Sequence, residues 1–216
     1  MLKSKKILVT AGPTYEYLDD IRFIGNRSSG KQGVEIAKCL QKLKADVTLV
    51  IGPVNLDLSS LSKVIRVESA VQMNDAVIET GPFDIAICAA AVSDWRPKEK
   101  AKTKIKKSSI GKPQFLELVE NPDILKNICV AENRPNLVIG FAAETNDLLT
   151  NARSKLKNKG CDWIVANKVT AETNNMGGWE NEVIIIKKNE EIKFAKQSKE
   201  GIAKLICKKI VEEFSG

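Results

Sequence analysis

In the stretch Thr10-Ala-Gly-Pro-Thr-Tyr-Glu-Tyr-Leu-Asp-Asp-Ile-Arg-Phe-Ile-Gly-Asn-Arg-Ser-Ser-Gly-Lys31, a polar loop joins a predicted buried strand to a predicted helix. The strand is the apolar run 7–9 just before the loop, and the helix covers about residues 30–44. Its apolar face consists of Val34, Ala37, Leu40 and Leu43, at helical spacing. A strand, a loop and a helix in this order are typical of an α/β fold.

The loop ends in residue types that suit an anion, in the segment Asn26-Arg-Ser-Ser-Gly-Lys31. The N–H groups and the dipole at the start of a helix favour negative charge there. The alternative is a plain helix start, with Ser28 or Ser29 as the N-cap and Gly30 in a tight turn. The segment matches neither a Walker A loop nor G-x-G-x-x-G, so it identifies neither P-loop nor Rossmann chemistry.

Length and composition limit the class of protein. With 216 residues, 43% of them hydrophobic, the chain suits one large α/β domain, or one domain with an excursion. A net charge of +7 favours acidic partners such as nucleotides, phosphorylated metabolites, nucleic acid or anionic lipid. No apolar run could span a membrane or serve as a signal peptide. Five scattered cysteines without a C-x-x-C pair fit reduced thiols, so we expect a cytoplasmic protein without structural zinc.

The chain contains no histidine. This excludes histidine-based triads, histidine-ligated metals and the commonest general base. Chemistry must then rely on positioning, lysine or arginine charge, amide donors and carboxylates, which phosphoryl and nucleotidyl transfer tolerate well.

Strands and helices alternate along the rest of the chain. Further strands are predicted at residues 46–52, 64–67, 84–88, 137–141 and 162–166, with an edge hairpin at 182–187 and 191–195. Further helices are predicted at residues 69–80, 147–159 and 199–214. Asn121 and Pro122 are predicted as the cap and first residue of another helix. The pattern predicts a doubly wound, mostly parallel, Rossmann-like α/β sheet.

Two of these strands end in small residues. Strand 84–88 runs into Ala89-Ala-Ala-Val-Ser-Asp94, and strand 137–141 runs into Ala142 and Ala143. Small side chains at the carboxyl end of a parallel strand let a ligand approach the backbone, and Asp94 could hold a metal ion, a sugar or a base edge. Alternatively, the alanines pack under a helix and Asp94 caps a turn.

Lysines are concentrated in two places. In residues 98–112, Lys102, Lys104 and Lys106 alternate, so in an extended strand they would share one face. Lys155 and Lys159 lie four residues apart on one face of a predicted helix. Either group could be solvated surface. The alternatives are a mobile basic flap that closes on a polyphosphate for the first group, and a phosphate clamp at the sheet edge for the second.

Short motifs follow one another in a fixed order over residues 6–187. They are Thr10-Ala-Gly-Pro-Thr14 with Glu16, Asp19 and Arg22; Asn26-Arg-Ser-Ser-Gly-Lys-Gln-Gly33; Ala89-Ala-Ala-Val-Ser-Asp94; Lys104-Ile-Lys-Lys107; Asn121-Pro-Asp-Ile-Leu125; Gly140-Phe-Ala-Ala-Glu-Thr145; and Ala166-Asn167. Each motif is weak alone, but the ordered set closely resembles bacterial phosphopantothenate–cysteine ligase of coenzyme A biosynthesis. Many bacteria fuse this domain behind a flavin-containing decarboxylase domain. The motifs of this sequence match the ligase domain and not the decarboxylase domain, so we expect a stand-alone ligase domain over residues 1–216. A separate phosphopantothenoylcysteine decarboxylase could be its partner.

The resemblance implies a two-step reaction. The carboxylate of 4′-phosphopantothenate attacks the α-phosphate of CTP, giving an acyl-cytidylate and pyrophosphate. The amine of L-cysteine then displaces CMP and forms an amide. The resemblance also implies Mg²⁺, a homodimer, and a preference for CTP over ATP.

Individual residues acquire roles from the same resemblance. Asn26 would lie at the acyl phosphate as a neutral hydrogen-bond donor, and Lys104, in a flap over about residues 95–114, would bind phosphate, so these two are the implied catalytic residues. The implied nucleotide-binding residues are Ser28, Ser29, Gly30, Ala89, Ala90, Asp94, Pro122, Asp123, Ile124, Leu125, Phe141, Lys155 and Lys159. The metal ligands stay open, with Asp94 as a candidate.

Two other classes of protein also stay open. An NAD(P)-dependent Rossmann-type reductase would need an acid after strand 46–52, where Ile51-Gly-Pro53 stands instead. A basic nucleic-acid-binding domain fits the charge, but the chain has few aromatic residues and no recognised module of that kind. We therefore expect neither nucleic acid nor a membrane as a partner.

Overall fold

The structure, a computed structural model, describes residues 2–106, 115–169, 178 and 180–214. The strands are β1 Lys6–Ala11, β2 Tyr15–Tyr17, β3 Phe23–Gly25, β4 Asp46–Ile51, β5 Val64–Arg66, β6 Ile85–Cys88, β7 Trp95–Pro97, β8 Leu118–Glu120, β9 Leu137–Glu144, β10 Trp163–Lys168, β11 Glu180–Ile186 and β12 Glu191–Ser198. The helices are α1 Lys31–Lys42, α2 Ala70–Thr80, α3 Ile124–Val130, α4 Leu148–Lys159 and α5 Lys199–Glu213. None of the described helices combines the length and apolar character that crossing a membrane requires.

The described strands build one main sheet of eight, in the order β12-β11-β10-β9-β6-β1-β4-β5. The six strands from β10 to β5 run parallel, and β11 and β12 are antiparallel at one edge. The predicted doubly wound, mostly parallel sheet with an edge hairpin is therefore confirmed. From β1 the chain builds outward to β4 and β5, and it then returns to the other side of β1 to form β6. The switch point of the fold consequently lies between β1 and β6.

Each face of the sheet is buried under its own helices. Along β1, Ile7 and Val9 point to one face and Leu8 points to the other, as the alternation of side chains in a strand requires. Helices α1 and α5 cover the first face, and α2, α3 and α4 cover the second. Burial of both faces explains why these strands are continuous apolar runs in the sequence.

Helix α1 is shorter than predicted at its carboxyl end. Val34, Ala37 and Leu40 are buried, as the periodicity predicts. Leu43, in contrast, is the C-cap and is 41% exposed. The helix ends before Leu43, so this residue does not continue the apolar face.

Two short hairpins were not predicted. β2 pairs with β3 inside the loop between β1 and α1, residues 12–30, which we call the opening loop. The rings of Tyr15 and Phe23 stack there with centroids 3.9 Å apart. β7 pairs with β8, so the Lys-rich segment lies within the long connection between these two strands. The described part of that segment, residues 98–106, contains no strand, so the condition under which the alternating lysines would share one face is not met there.

The start of α3 also differs from the prediction. The N-cap is Asp123, whose carboxylate accepts a hydrogen bond from the Lys126 N–H at 3.0 Å. The prediction that Asn121 caps this helix and that Pro122 is its first residue is therefore wrong. The side chain of Asn121 is engaged elsewhere, because its Nδ2 donates to the Ser93 carbonyl at 2.8 Å.

Candidate active site

A cleft opens at the carboxyl edge of the parallel strands, above the switch point between β1 and β6, which is where open α/β sheets bind ligands. It has two lobes. Lobe 1, of about 450 Å³, lies on the side of α3 and α4, and lobe 2, of about 400 Å³, lies on the side of α1 and α5. The lobes are adjacent, because both are lined by Ala90, Val92, Asp94, Phe141 and Lys155.

Lobe 1 lies between residues 89–94, which we call the segment after β6, and the start of α3. Asn121 joins these two walls. Its Nδ2 donates to the Ser93 carbonyl and its N–H donates to the Asp94 carbonyl, both at 2.8 Å. Its Oδ1 accepts from Arg96 Nη1 at 3.2 Å. The Ser93 N–H in turn donates to Thr14 Oγ1 at 3.0 Å. These bonds fix the width of the lobe.

Helix α4 contributes two lysines to lobe 1. Lys155 and Lys159 both line the lobe, so the helix face that carries them borders the carboxyl edge of the sheet. Lys159 forms an ion pair with Asp123, which links α4 to the start of α3. Burial, together with the positive charge of Lys159, lowers the pKa of Lys155 below its ordinary value. These two ammonium groups offer opposite charge to a polyanion, beside three carboxylates, Asp94, Glu120 and Asp123, that line the same lobe.

Lobe 2 is lined by the first turn of α1, which begins without a side-chain cap. The N-cap is Gly30, whose φ of +70° lies in the left-handed region that favours glycine. Ser28 Oγ accepts from the Gly30 N–H at 3.3 Å, so the alternative in which Ser28 or Ser29 is the N-cap is wrong. A Cβ added to Gly33 would lie 2.6 Å from the Cβ of Ala11, so glycine is needed for α1 to approach β1 this closely. The positive end of the helix dipole faces the cleft.

Asn26 also lines lobe 2 and ties the opening loop to the segment after β6. Its Nδ2 donates to the Val92 carbonyl at 3.1 Å and contacts the Ala91 carbonyl at 3.4 Å. Asn26 is therefore not a helix cap. Its side chain is exposed, but it is held by the backbone of residues 91 and 92. Val92, whose carbonyl accepts the bond from Asn26 Nδ2, lines both lobes, whereas Asn26 lines lobe 2 alone.

The candidate residues are brought together with one exception. Lobe 1 is lined by Ala90, Asp94, Pro122, Asp123, Ile124, Leu125, Phe141, Lys155 and Lys159. Lobe 2 is lined by Asn26, Ser28, Ser29, Gly30, Ala89, Ala90, Asp94, Phe141 and Lys155. The exception is Lys104, which lines neither lobe.

The segment that contains Lys104 is held against the opening loop instead. The Ile105 N–H donates to Asp19 Oδ2 at 3.0 Å, and Arg22 Nη2 donates to the Ile105 carbonyl at 2.6 Å. The side chain of Asp19 is fully buried, and the Arg22 guanidinium and the Ile105 N–H hold the pKa of its carboxyl well below the usual range. Lys102 and Lys104 are both exposed. The rest of the predicted flap, residues 107–114, lies outside the described residues.

Sequence reasoning missed Lys199 as a lining residue of lobe 2. This first residue of α5 is 5% exposed, and its carbonyl accepts from Gln32 Nε2 at 3.1 Å. Burial and the positive charge of Lys31 lower its pKa to about 8. Because lysines are frequent throughout this chain, nothing in the sequence distinguishes the buried one. Asn121 and Ser93, in contrast, stand inside the motifs and could have been singled out there.

The acidic residues of the cleft limit the kind of metal it could hold. Asp94 lines both lobes, and Glu120 and Asp123 line lobe 1. Among the described residues, no group of three or more His, Cys, Asp or Glu side chains could hold a metal ion. Carboxylates that do not gather into such a group fit Mg²⁺ that is bound mainly by phosphate and water.

Comparisons with known proteins agree with this architecture. The family model of the DNA/pantothenate metabolism flavoprotein C-terminal domain matches residues 2–214. The coenzyme A biosynthesis bifunctional protein CoaBC of Vibrio cholerae is 41% identical over 215 residues, which cover 99% of this chain and 54% of the relative. A crystal structure of the C-terminal domain of CoaBC has a TM-score of 0.81 at 37% identity, covering 99% of this chain and 97% of that one. The DNA/pantothenate metabolism flavoprotein from Streptococcus pneumoniae shares the fold, with a TM-score of 0.79 at 24% identity and coverage of 97% and 100%. The chain thus spans about half the length of the curated relatives it matches.

Proposed function

The chain belongs to the family of DNA/pantothenate metabolism flavoprotein C-terminal domains, and from this premise we propose that it joins 4′-phosphopantothenate to L-cysteine at the expense of CTP. The observation that carries the proposal is the cleft at the switch point. It brings together the opening loop, the segment after β6, the start of α3 and the face of α4. The name of the Vibrio cholerae relative, a bifunctional protein of coenzyme A biosynthesis, agrees with this reaction.

We assign lobe 1 to the nucleotide. Phe141, Ile124 and Leu125 offer apolar surface for a base, and Lys155 and Lys159 offer positive charge for the phosphates. Mg²⁺ bound with the triphosphate would add positive charge there, with Asp94 as its protein ligand.

The first step places two anions against each other. An oxygen of the phosphopantothenate carboxylate bonds to the α-phosphorus of CTP, and the bond from that phosphorus to the bridging oxygen breaks, which releases pyrophosphate. Like charges oppose this approach, and the cations of lobe 1 together with the uncapped start of α1 offset the repulsion. The chain performs this step without a histidine because placement and charge supply the catalysis.

In the second step the cysteine amine attacks the activated carbonyl carbon. The new C–N bond forms as the bond from carbon to the phosphate oxygen breaks, CMP leaves, and the amine gives up a proton. Asn26 would donate to the charge that develops at the acyl phosphate. The longer contact of its Nδ2, 3.4 Å to the Ala91 carbonyl, is the one it would exchange for this bond.

Pyrophosphate release tests the proposal. With CTP and Mg²⁺ present, phosphopantothenate alone should give at most one equivalent of pyrophosphate per site, and addition of cysteine should start multiple turnover. CTP with cysteine alone should give none. If pyrophosphate release requires neither acid nor amine, or if it never occurs, the proposed reaction is wrong.

We also propose a homodimer formed through the two small hairpins. β2 and β7 are in contact, and the hairpins and their flanks expose Ile21, Phe23, Trp95, Leu116 and Leu118. Exposed apolar residues concentrated in one region mark protein–protein contacts. Light scattering should give twice the chain mass of 23.8 kDa, and a monomer that is active at micromolar concentration would contradict the dimer.

A further inference from the structure

A buried hydroxyl in the wall of lobe 1 lacks a hydrogen-bond partner. Ser93 lines this lobe and is 5% exposed. Its Oγ nevertheless makes no hydrogen bond to any part of the chain that the structure describes. Leaving a buried hydroxyl unpaired costs stability, and such groups are rare in folded proteins. An unpaired group beside a cleft therefore points to a bound molecule that completes its hydrogen bond.

The backbone of Ser93, in contrast, is fully engaged. Its N–H donates to Thr14 Oγ1 at 3.0 Å, and its carbonyl accepts from Asn121 Nδ2 at 2.8 Å. The wall of the lobe is thus held without any help from the hydroxyl. With the backbone fixed, rotation about χ1 is the freedom that remains, and a rotation that presents Oγ to the lobe would leave the wall in place.

We propose that the Ser93 hydroxyl is a nucleotide-binding group of lobe 1, which forms a hydrogen bond with the nucleotide that the fold itself does not supply. This inference rests on the proposed function, which assigns lobe 1 to the nucleotide. The hydroxyl can pair with a phosphate oxygen or with an acceptor of the nucleoside. The shared chemistry is a hydrogen-bond acceptor on the nucleotide, and the test below distinguishes its two sources.

Ser93→Ala separates a binding role from a structural one, because the two roles predict opposite effects on the protein without nucleotide. Removing an unpaired buried hydroxyl should leave the melting temperature of the free protein unchanged or raise it. The same change should weaken CTP binding about 5- to 10-fold, the usual effect of losing one hydrogen bond. The KM values for phosphopantothenate and cysteine should stay within about twofold. Binding of cytidine, measured in parallel, assigns the bond: a loss for both ligands places it on the nucleoside, and a loss for CTP alone places it on a phosphate.

Ser62→Ala is the control for the loss of a serine hydroxyl at an exposed position away from the cleft. Ser62 Oγ donates to Gln41 Oε1 at 3.0 Å, and the residue lies outside both lobes. Its removal should leave CTP binding unchanged. An Ser93→Ala protein that binds CTP like the wild type, or one that melts lower or fails to fold, would overturn the proposal. If CTP does not stabilise the wild type, the proposed function itself is wrong. If CTP stabilises the wild type and Ser93→Ala equally, only the role of Ser93 is wrong, so the two failures are distinguishable.

Discussion

Two groups of lysines look alike in the sequence and differ in the structure. Lys155 and Lys159 sit on α4 and line the cleft, where burial lowers the pKa of Lys155. Lys102 and Lys104 follow β7, are exposed and line no part of the cleft, although Ile105 beside them is fixed to the opening loop. The difference is not one of charge density. It is set by which element borders the carboxyl edge of the sheet.

This comparison separates two roles that positive charge can have. The α4 pair already stands at the cleft, so we expect it to bind the nucleotide before any reaction occurs. Lys104 is outside the cleft, so any contribution it makes must come from a contact formed during turnover. Ground-state binding and turnover should therefore respond to different lysines.

Lys104→Gln should have the largest effect of these substitutions, and it should lower turnover without weakening nucleotide binding. We expect kcat to fall on the order of 100- to 1,000-fold while CTP affinity changes less than about threefold, the pattern of an interaction made only in the transition state. Steady-state kinetics and calorimetric titration with CTP measure the two quantities. Lys102→Gln, two residues away in the same exposed segment, is the control. If kcat falls by the same small factor in both variants, the segment is ordinary solvated surface.

Asn26 tests whether a neutral group at the cleft matters as much as the cations. Asn26→Ala should cost roughly 3 kcal/mol of barrier, on the order of 100-fold in rate, if the amide donates to the acyl phosphate. Asn26→Asp should be worse, because it puts an anion in front of phosphate oxygens. Single-turnover quench with labelled CTP shows which step slows. Normal turnover in a stably folded Asn26→Asp protein would remove Asn26 from the site.

Lys155→Gln should weaken nucleotide binding itself. Loss of one charge-assisted bond to phosphate is expected to raise the Kd for CTP about 10- to 50-fold. Lys157→Gln is the matched control, since Lys157 lies on the same helix but is exposed and outside both lobes. If calorimetry gives the two variants the same affinity, the α4 pair does not differ from ordinary surface lysines.

The smallest expected effect is on the pH dependence of stability. Because the pKa of Lys155 is lowered, the unfolded chain binds more protons than the folded one between the lowered value and the ordinary 10.5. The contribution of Lys155 to the unfolding free energy must therefore rise with pH in that window. Lys155→Gln removes this contribution. The unfolding free energy of the wild type should therefore increase relative to that of the variant as the pH rises. Urea unfolding at pH 8 and pH 10 measures it, and parallel curves would contradict the lowered pKa.

The sequence by itself determined the architecture and the order of the segments around the site. Apolar runs alternating with helical periodicity predicted the doubly wound sheet, and the small residues after Cys88 marked the end of β6 beside the cleft. The strand end predicted at Phe141 is wrong, because β9 continues to Glu144. Both signals are local, since a strand or helix records its buried face in residues a few positions apart. The spacing of Lys155 and Lys159 is of the same kind, because four residues define one helix face.

Only the tertiary structure decided which polar groups serve the cleft and how they are held. Asn121 looked like a helix cap but bonds to Ser93, 28 residues away, and Asp123 takes the cap instead. Lys199 is buried in lobe 2 because α1 and α5 pack on the same face of the sheet. These assignments depend on contacts between residues that are distant in the chain. A side chain carries no local record of such contacts, and therefore periodicity and propensity do not predict them.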